Sequence, residues 1–191
     1  MKYLISLILC LWIPVASAAS DTPSIAQLGI DCNTLAEWST EVDGYQLNLH
    51  HVFCGEPGKR GRAKGFHSMP EGIAPSNYDG SESGDPVNSA GVYTLEKIEL
   101  SFAEGKYTKS FSSMFPNHCS YDQVINSIVY SVQNNSGSCA SPDWATCGPN
   151  APKQGAEAYC VATDGSTFTI ATAILRSDNK KINTGFPIYR P

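Results

Sequence analysis

The clearest hydrophobic pattern in the chain is "CSYDQVINSIVYSVQ" (119–133). Val124, Ile128 and Val132 fall four apart, with Ile125 and Val129 beside them, so one apolar stripe runs along a predicted helix. Ser120 followed three residues later by Gln123 forms a capping box, and Asp122 suits the positive end of the helix dipole. Upstream, "VYTLEKIELSF" (92–102) and "GKYTKSFSS" (105–113) have strand character and predict a hairpin. "YQLNLHHVF" (45–53) also alternates, which puts His51 on the more apolar face of a strand and His50 on the polar one.

Weaker signals fill the rest. "PSIAQLGIDCNTLAEWSTEV" (23–42) reads as a helix in which Leu28, Cys32 and Leu35 share a face, ended by Gly44. Residues 71–90 are rich in turn formers and predict a long surface loop. Residues 134–155 read as a second turn-rich loop that Cys139 and Cys147 can staple. The chain ends in β-structure. "AEAYCVATD" leads to an Asp164–Gly165 hairpin turn, then "STFTIATAILR", a turn at 177–180, and "INTGFPIY". The sum is a single α+β domain, with antiparallel sheets and helices early and mid-chain.

The first residues carry a different message. Lys2, the apolar "YLISLILCLWIPV" and the small residues of "ASAAS" make a secretory leader over 1–19, which leaves a domain over 20–191. No later run is apolar for long enough to span a bilayer, so no membrane attachment is expected after cleavage. Cys10 leaves with the leader. The six remaining cysteines, Cys32, Cys54, Cys119, Cys139, Cys147 and Cys160, are an even set in an exported chain and predict disulfides. No close C-x-x-C pair favours zinc instead. Net charge is −5, which argues against nucleic-acid binding by bulk charge.

Local charge tells otherwise. "HHVFCGEPGKRGRAKGFHS" (50–68) holds three of the four histidines, several glycines, and Lys59, Arg60, Arg62 and Lys64. Two imidazoles can cleave a phosphodiester, one as base and one as acid, because their ordinary pKa is near neutrality. A lysine or backbone N–H groups would stabilise charge on the phosphoryl oxygens. His50 and His118 read as surface residues.

"HVFCGE" followed by "GFHS" resembles the active-site segment of the EndoU family of endoribonucleases, including its short bacterial domains, often toxins. The match is dense over 51–68 and extends more thinly to the closing strands. It implies an EndoU-like fold and cleavage of single-stranded RNA, with uridylates as the expected site and a 2′,3′-cyclic phosphate product. His51 and His67 become the acid–base pair, in an order the sequence leaves open. The family's lysine, with a serine or threonine four residues later, maps onto Lys106 and Ser110 of "KYTKS"; Lys109 is the alternative if the register shifts. The family's C-terminal Thr-x-Tyr-Pro maps onto "TGFP", giving Thr184 as a substrate contact and Phe186 in place of tyrosine, with Tyr189 nearby to return a hydroxyl. Ser68 replaces an asparagine usual in eukaryotic members. Lys59, Arg60, Arg62 and Lys64 are expected to meet substrate. Some relatives are stimulated by manganese, but the sequence shows no carboxylate cluster, so no metal or other cofactor is expected to be essential. A toxin with a cognate immunity or inhibitor protein, or a non-catalytic RNA- or protein-binding module, is the alternative.

Overall fold

The computed structural model describes residues 29–191. The leader over 1–19, and residues 23–28 of the expected first helix, lie outside this range. In chain order the strands are β1 (Gln46–Leu47), β2 (Glu56–Pro57), β3 (Ala63–Lys64), β4 (Tyr78–Ser83), β5 (Tyr93–Phe102), β6 (Gly105–Met114), β7 (Thr146–Pro149), β8 (Thr169–Leu175) and β9 (Asp178–Pro187). One α-helix, α1 (Tyr121–Gln133), lies among the described residues.

Helix α1 forms where its pattern requires. The Ser120 hydroxyl accepts the Gln123 N–H at 3.3 Å, and the Gln123 side chain accepts the Ser120 N–H at 3.0 Å. These two bonds satisfy donors that a helix start would otherwise leave unpaired. Val124, Ile125, Ile128, Val129 and Val132 are buried, as are Ser127 and Ser131. The stripe packs on a four-stranded sheet of order β1–β9–β8–β7. Helix and sheet meet closely because Gly185 has no side chain: a Cβ there would stand 2.6 Å from Ile128 Cγ2.

The second sheet is β4–β5–β6, built on the expected hairpin, whose strands pair from Tyr93↔Met114 to Phe102↔Gly105. It covers a cluster of Phe66, Ile98, Leu100 and Met114. Between the two sheets runs the histidine-bearing segment, with β2 and β3 paired as a short ribbon. All six cysteines among the described residues pair, as Cys32–Cys54, Cys119–Cys160 and Cys139–Cys147. No helix among the described residues is long and apolar enough to cross a membrane.

Several expectations need correction. Residues 29–42 are turns and isolated bridges, not helix. The predicted strand over 45–53 stops after β1, and His50–Cys54 form a single wide helical turn. His51, Val52, Phe53 and Cys54 are all buried on this helical turn, so the expected alternation of an apolar and a polar face is lost. The loop over 71–90 contains β4. Asp164–Gly165 does form a turn, held by the Asp164 carboxylate accepting the Ser166 N–H at 2.9 Å, but no strand precedes it. The sheets are antiparallel except at β1, which lies parallel to β9.

Gly185→Ala should overpack the helix–sheet contact and cost about 1–3 kcal/mol. Thermal unfolding should show it as a fall of roughly 2–4 °C for each kcal/mol.

Candidate active site

The turn His50–Cys54 is shaped by Asn48. Its Oδ1 accepts the His51 N–H at 2.9 Å, a side-chain bond that competes with strand pairing. The Asn48 amide also donates to Glu56 Oε1 at 2.9 Å. Glu56 is thereby aimed back at the turn, and its Oε2 lies 2.9 Å from His51 Nδ1. A carboxylate only accepts, so Nδ1 carries the hydrogen. The hydrogen bond from His51, followed by its charge, holds the Glu56 carboxyl below the usual range against the opposing effect of burial.

The chain then traverses the basic ribbon and returns. Phe66 N–H donates to His51 O, and His67 N–H donates to Val52 O, both at 2.7 Å. Gly65 makes the return feasible: its φ is +69°, and a Cβ there would collide with His51 O. The two imidazole centroids end 6.2 Å apart.

His67 sits in different surroundings. Its Nδ1 is 3.2 Å from Ser113 O and 3.0 Å from Ser112 Oγ. Ser112 in turn donates to Phe66 O at 2.6 Å. The carbonyl of Ser113 can only accept, so His67 carries its hydrogen on Nδ1 and presents Nε2 as a lone pair. Burial, then the charges of Lys109 and His51, holds His67 well below the usual imidazole range. The Lys109 ammonium donates to Gly65 O and, at 2.9 Å, to Ser112 Oγ. Burial pushes it down to about 7.

These groups open onto one cleft of about 510 Å³ between the two sheets. β6 contributes Lys109, Phe111, Ser112 and Ser113; β8 and β9 contribute Ala173, Asn183, Thr184 and Phe186. Phe186 stacks on His67 with centroids 4.9 Å apart, and Trp144 lies 6.0 Å beyond Phe186. Thr184 is buried, and its hydroxyl has no hydrogen-bond partner among the described residues.

A family model described as bacterial EndoU nuclease matches residues 46–189. The chain belongs to the bacterial EndoU nuclease family. No curated protein and no solved structure matches it. Membership implies endoribonuclease activity in general, and the mixed, sheet-rich architecture agrees with an EndoU fold. The three disulfides fit a secreted or periplasmic EndoU.

Of the residues singled out in the sequence, His51, His67, Thr184 and Phe186 meet in the cleft. Lys106 does not. Its side chain is 70 % exposed and pairs with Asp79 at 3.1 Å on the outer face of the second sheet. Strand parity explains this, because Lys106 and Lys109 lie three residues apart and point to opposite faces. Lys109 takes the inner place, and Ser113, four residues later, replaces Ser110 as the serine of the cleft. Ser110 faces a neighbouring hollow with Arg60, Arg62 and Lys64. Lys59 lies with the same arginines at a third hollow. Tyr189 donates its hydroxyl to Pro86 O at 2.9 Å and is not part of the cleft. His50 bonds Leu35 O and His118 bonds Val161 O, both outside it. Glu56, Asn48, Ser112 and Trp144, not singled out in the sequence, also lie at the site. Glu56 belongs to the quoted motif, and its place five residues after His51 was the available signal. Among the described residues no three His, Cys, Asp or Glu side chains cluster as metal ligands.

The buried groups set a pH dependence of stability. Folded His67 stays neutral where its unfolded counterpart, with an ordinary value of 6.5, takes up a proton. Its contribution is therefore complete above 6.5 and is lost as pH falls toward the lower folded value. Lys109, at about 7 folded against 10.5 unfolded, adds stability as pH rises through that interval. Urea midpoints should fall between pH 6.5 and 5, and His67→Asn should flatten that slope.

Proposed function

We propose that this EndoU nuclease is a metal-independent endoribonuclease that cleaves single-stranded RNA at uridylates by internal transesterification. The observation that carries this reading is the pair of imidazoles on one cleft with opposed surroundings. His67, neutral with its Nε2 lone pair open, is the base and takes the proton of the ribose 2′-hydroxyl. The 2′-oxygen attacks phosphorus, the bond to the 5′-oxygen breaks, and His51 Nε2 protonates that oxygen. The Glu56 carboxylate stabilises the imidazolium that serves as acid. The products are a 2′,3′-cyclic phosphate and a 5′-hydroxyl, with no water consumed.

Two hydrogen bonds of about 2.8 Å, one accepted by His67 Nε2 from the 2′-hydroxyl and one donated by His51 Nε2 to the 5′-oxygen, can bracket a single phosphate group. Lys109 stands beside the pair and, when charged, opposes the negative charge that gathers on the phosphoryl oxygens. Thr184 offers its unpaired hydroxyl to the uracil edge, and Phe186 offers a ring face. Lys59, Arg60, Arg62 and Lys64 contact backbone phosphates. Residues 1–19 direct export as a cleaved leader, and the domain over 20–191 acts outside the cytoplasm.

His51→Ala and His67→Ala should each lower kcat by about 10²–10⁴-fold on a uridine-containing oligonucleotide while circular dichroism stays native. The wild-type protein should keep its rate in EDTA, and mass spectrometry of the fragments should find cyclic phosphate ends. Undiminished cleavage by either variant would remove the proposed mechanism. Lys109→Met should lower the rate at least about tenfold, whereas Lys106→Met, on the outer face, should stay within about twofold.

A further inference from the structure

Trp144 is 61 % exposed, the most open aromatic ring at the cleft. Leaving an indole face in water forgoes burial that most aromatic side chains obtain. Its loop is nevertheless held in place. Ala145 beside it is buried, Cys139 N–H donates to Ala145 O at 2.9 Å, and the Cys139–Cys147 disulfide closes the loop. An exposed ring on a restrained loop beside the cleft is suited to receive a flat ligand.

The cleft is also asymmetric. From His67, the neutral imidazole, contacts run through Phe186 to Trp144. From His51, contacts run through Glu56 to its cross-strand partner Lys64 on the basic ribbon. Arg60, Arg62 and Lys64 line a hollow that shares Lys109 and Phe111 with the cleft. One end is aromatic and the other is cationic.

Resting on the proposed roles of the two histidines, the geometry points to a directional RNA track. Trp144, with Phe186, stacks bases on the 5′ side of the scissile phosphate, and Arg60, Arg62 and Lys64 hold phosphates on its 3′ side. The ribose that loses its 2′-proton must lie at His67, so its base and the preceding nucleotide extend toward the aromatic end. The departing 5′-oxygen must lie at His51, so the following phosphates pass onto the ribbon. Stacking tolerates any base, whereas phosphate contacts bring salt dependence.

The test compares kcat/KM for a uridine-containing dinucleotide with the same unit extended by three adenosines on the 5′ side or on the 3′ side. In the wild-type protein both extensions should raise kcat/KM, and only the 3′ gain should shrink steeply with added salt. Trp144→Ala should reduce the 5′ gain roughly 5- to 150-fold and leave the ratio for the 3′ extension at the wild-type value. Trp144→Phe should restore much of the 5′ gain. The double variant Arg62→Gln/Lys64→Gln should reduce the 3′ gain and its salt slope alone. A variant that merely misfolds lowers every substrate together and leaves both ratios unchanged, so unchanged ratios, like swapped ones, overturn the track. A wild-type protein that cleaves none of the three substrates overturns the nuclease reading itself.

Discussion

Two backbone hydrogen bonds hold this site together: Phe66 N–H to His51 O, and His67 N–H to Val52 O. They fasten the returning end of the basic segment directly onto the turn that carries the first histidine. Side chains elsewhere in the cleft adjust by rotation, but the spacing of the imidazoles is set by main chain. Gly65 permits the contact because any Cβ would strike His51 O. The outer side of the same segment is pinned by β6, where Lys109 binds Gly65 O, Ser112 binds Phe66 O, and the Phe115 N–H reaches His67 O. Residues 65–67 are therefore a middle layer between a helical turn and a strand, which leaves them little freedom to drift.

The same layering creates the chemical difference between the histidines. His51 faces an acidic partner at the edge of the ribbon, and Glu56 is kept ionised by that contact. His67 lies deeper, against a carbonyl, a hydroxyl and a buried lysine. Identical side chains thus meet different surroundings: burial and the Lys109 charge favour neutral His67, whereas His51 donates to a carboxylate. Lys109 contributes twice, by bridging Gly65 to Ser112 and by discouraging positive charge on His67.

Much of this was legible in the sequence, and the failures have physical causes. Helix α1 and the β5–β6 hairpin satisfy local and long-range demands together, so periodicity alone locates them. The two histidines and their glycines were visible because spacing and residue type survive any error in secondary structure. The strand over 45–53 misled because Asn48 diverts the backbone with a side-chain bond, and such a bond has no periodic signature. Residues 29–42 fail as helix because the segment is organised instead by Asp31, whose carboxylate accepts the Asn33 N–H, and by the Cys32–Cys54 bond. Lys106 was preferred to Lys109 by spacing to a serine, but "KSFSS" repeats that spacing three residues on. Only the parity of β6, fixed by its register against β5, separates the two: Lys109 stands opposite the buried Ile98, and Lys106 opposite Ser101.

The disulfides fall where they serve this arrangement. Cys54 is the last residue of the turn bearing His51, and its partner Cys32 lies in a segment with little regular structure of its own. Cys119 precedes the capped end of α1, and its partner Cys160 donates its N–H to Ser127 on the buried face of that helix. Cys147 opens onto β7 and closes the loop that presents Trp144. In each case a cross-link restrains a segment that hydrogen bonding in a sheet does not, and restraint of that kind acts mainly on the unfolded chain. The core between α1 and the four-stranded sheet has its own packing, whereas the cleft is assembled from turns and short ribbons. The cross-links therefore offset, through the unfolded chain, the scarcity of sheet hydrogen bonds in the segments that build the cleft.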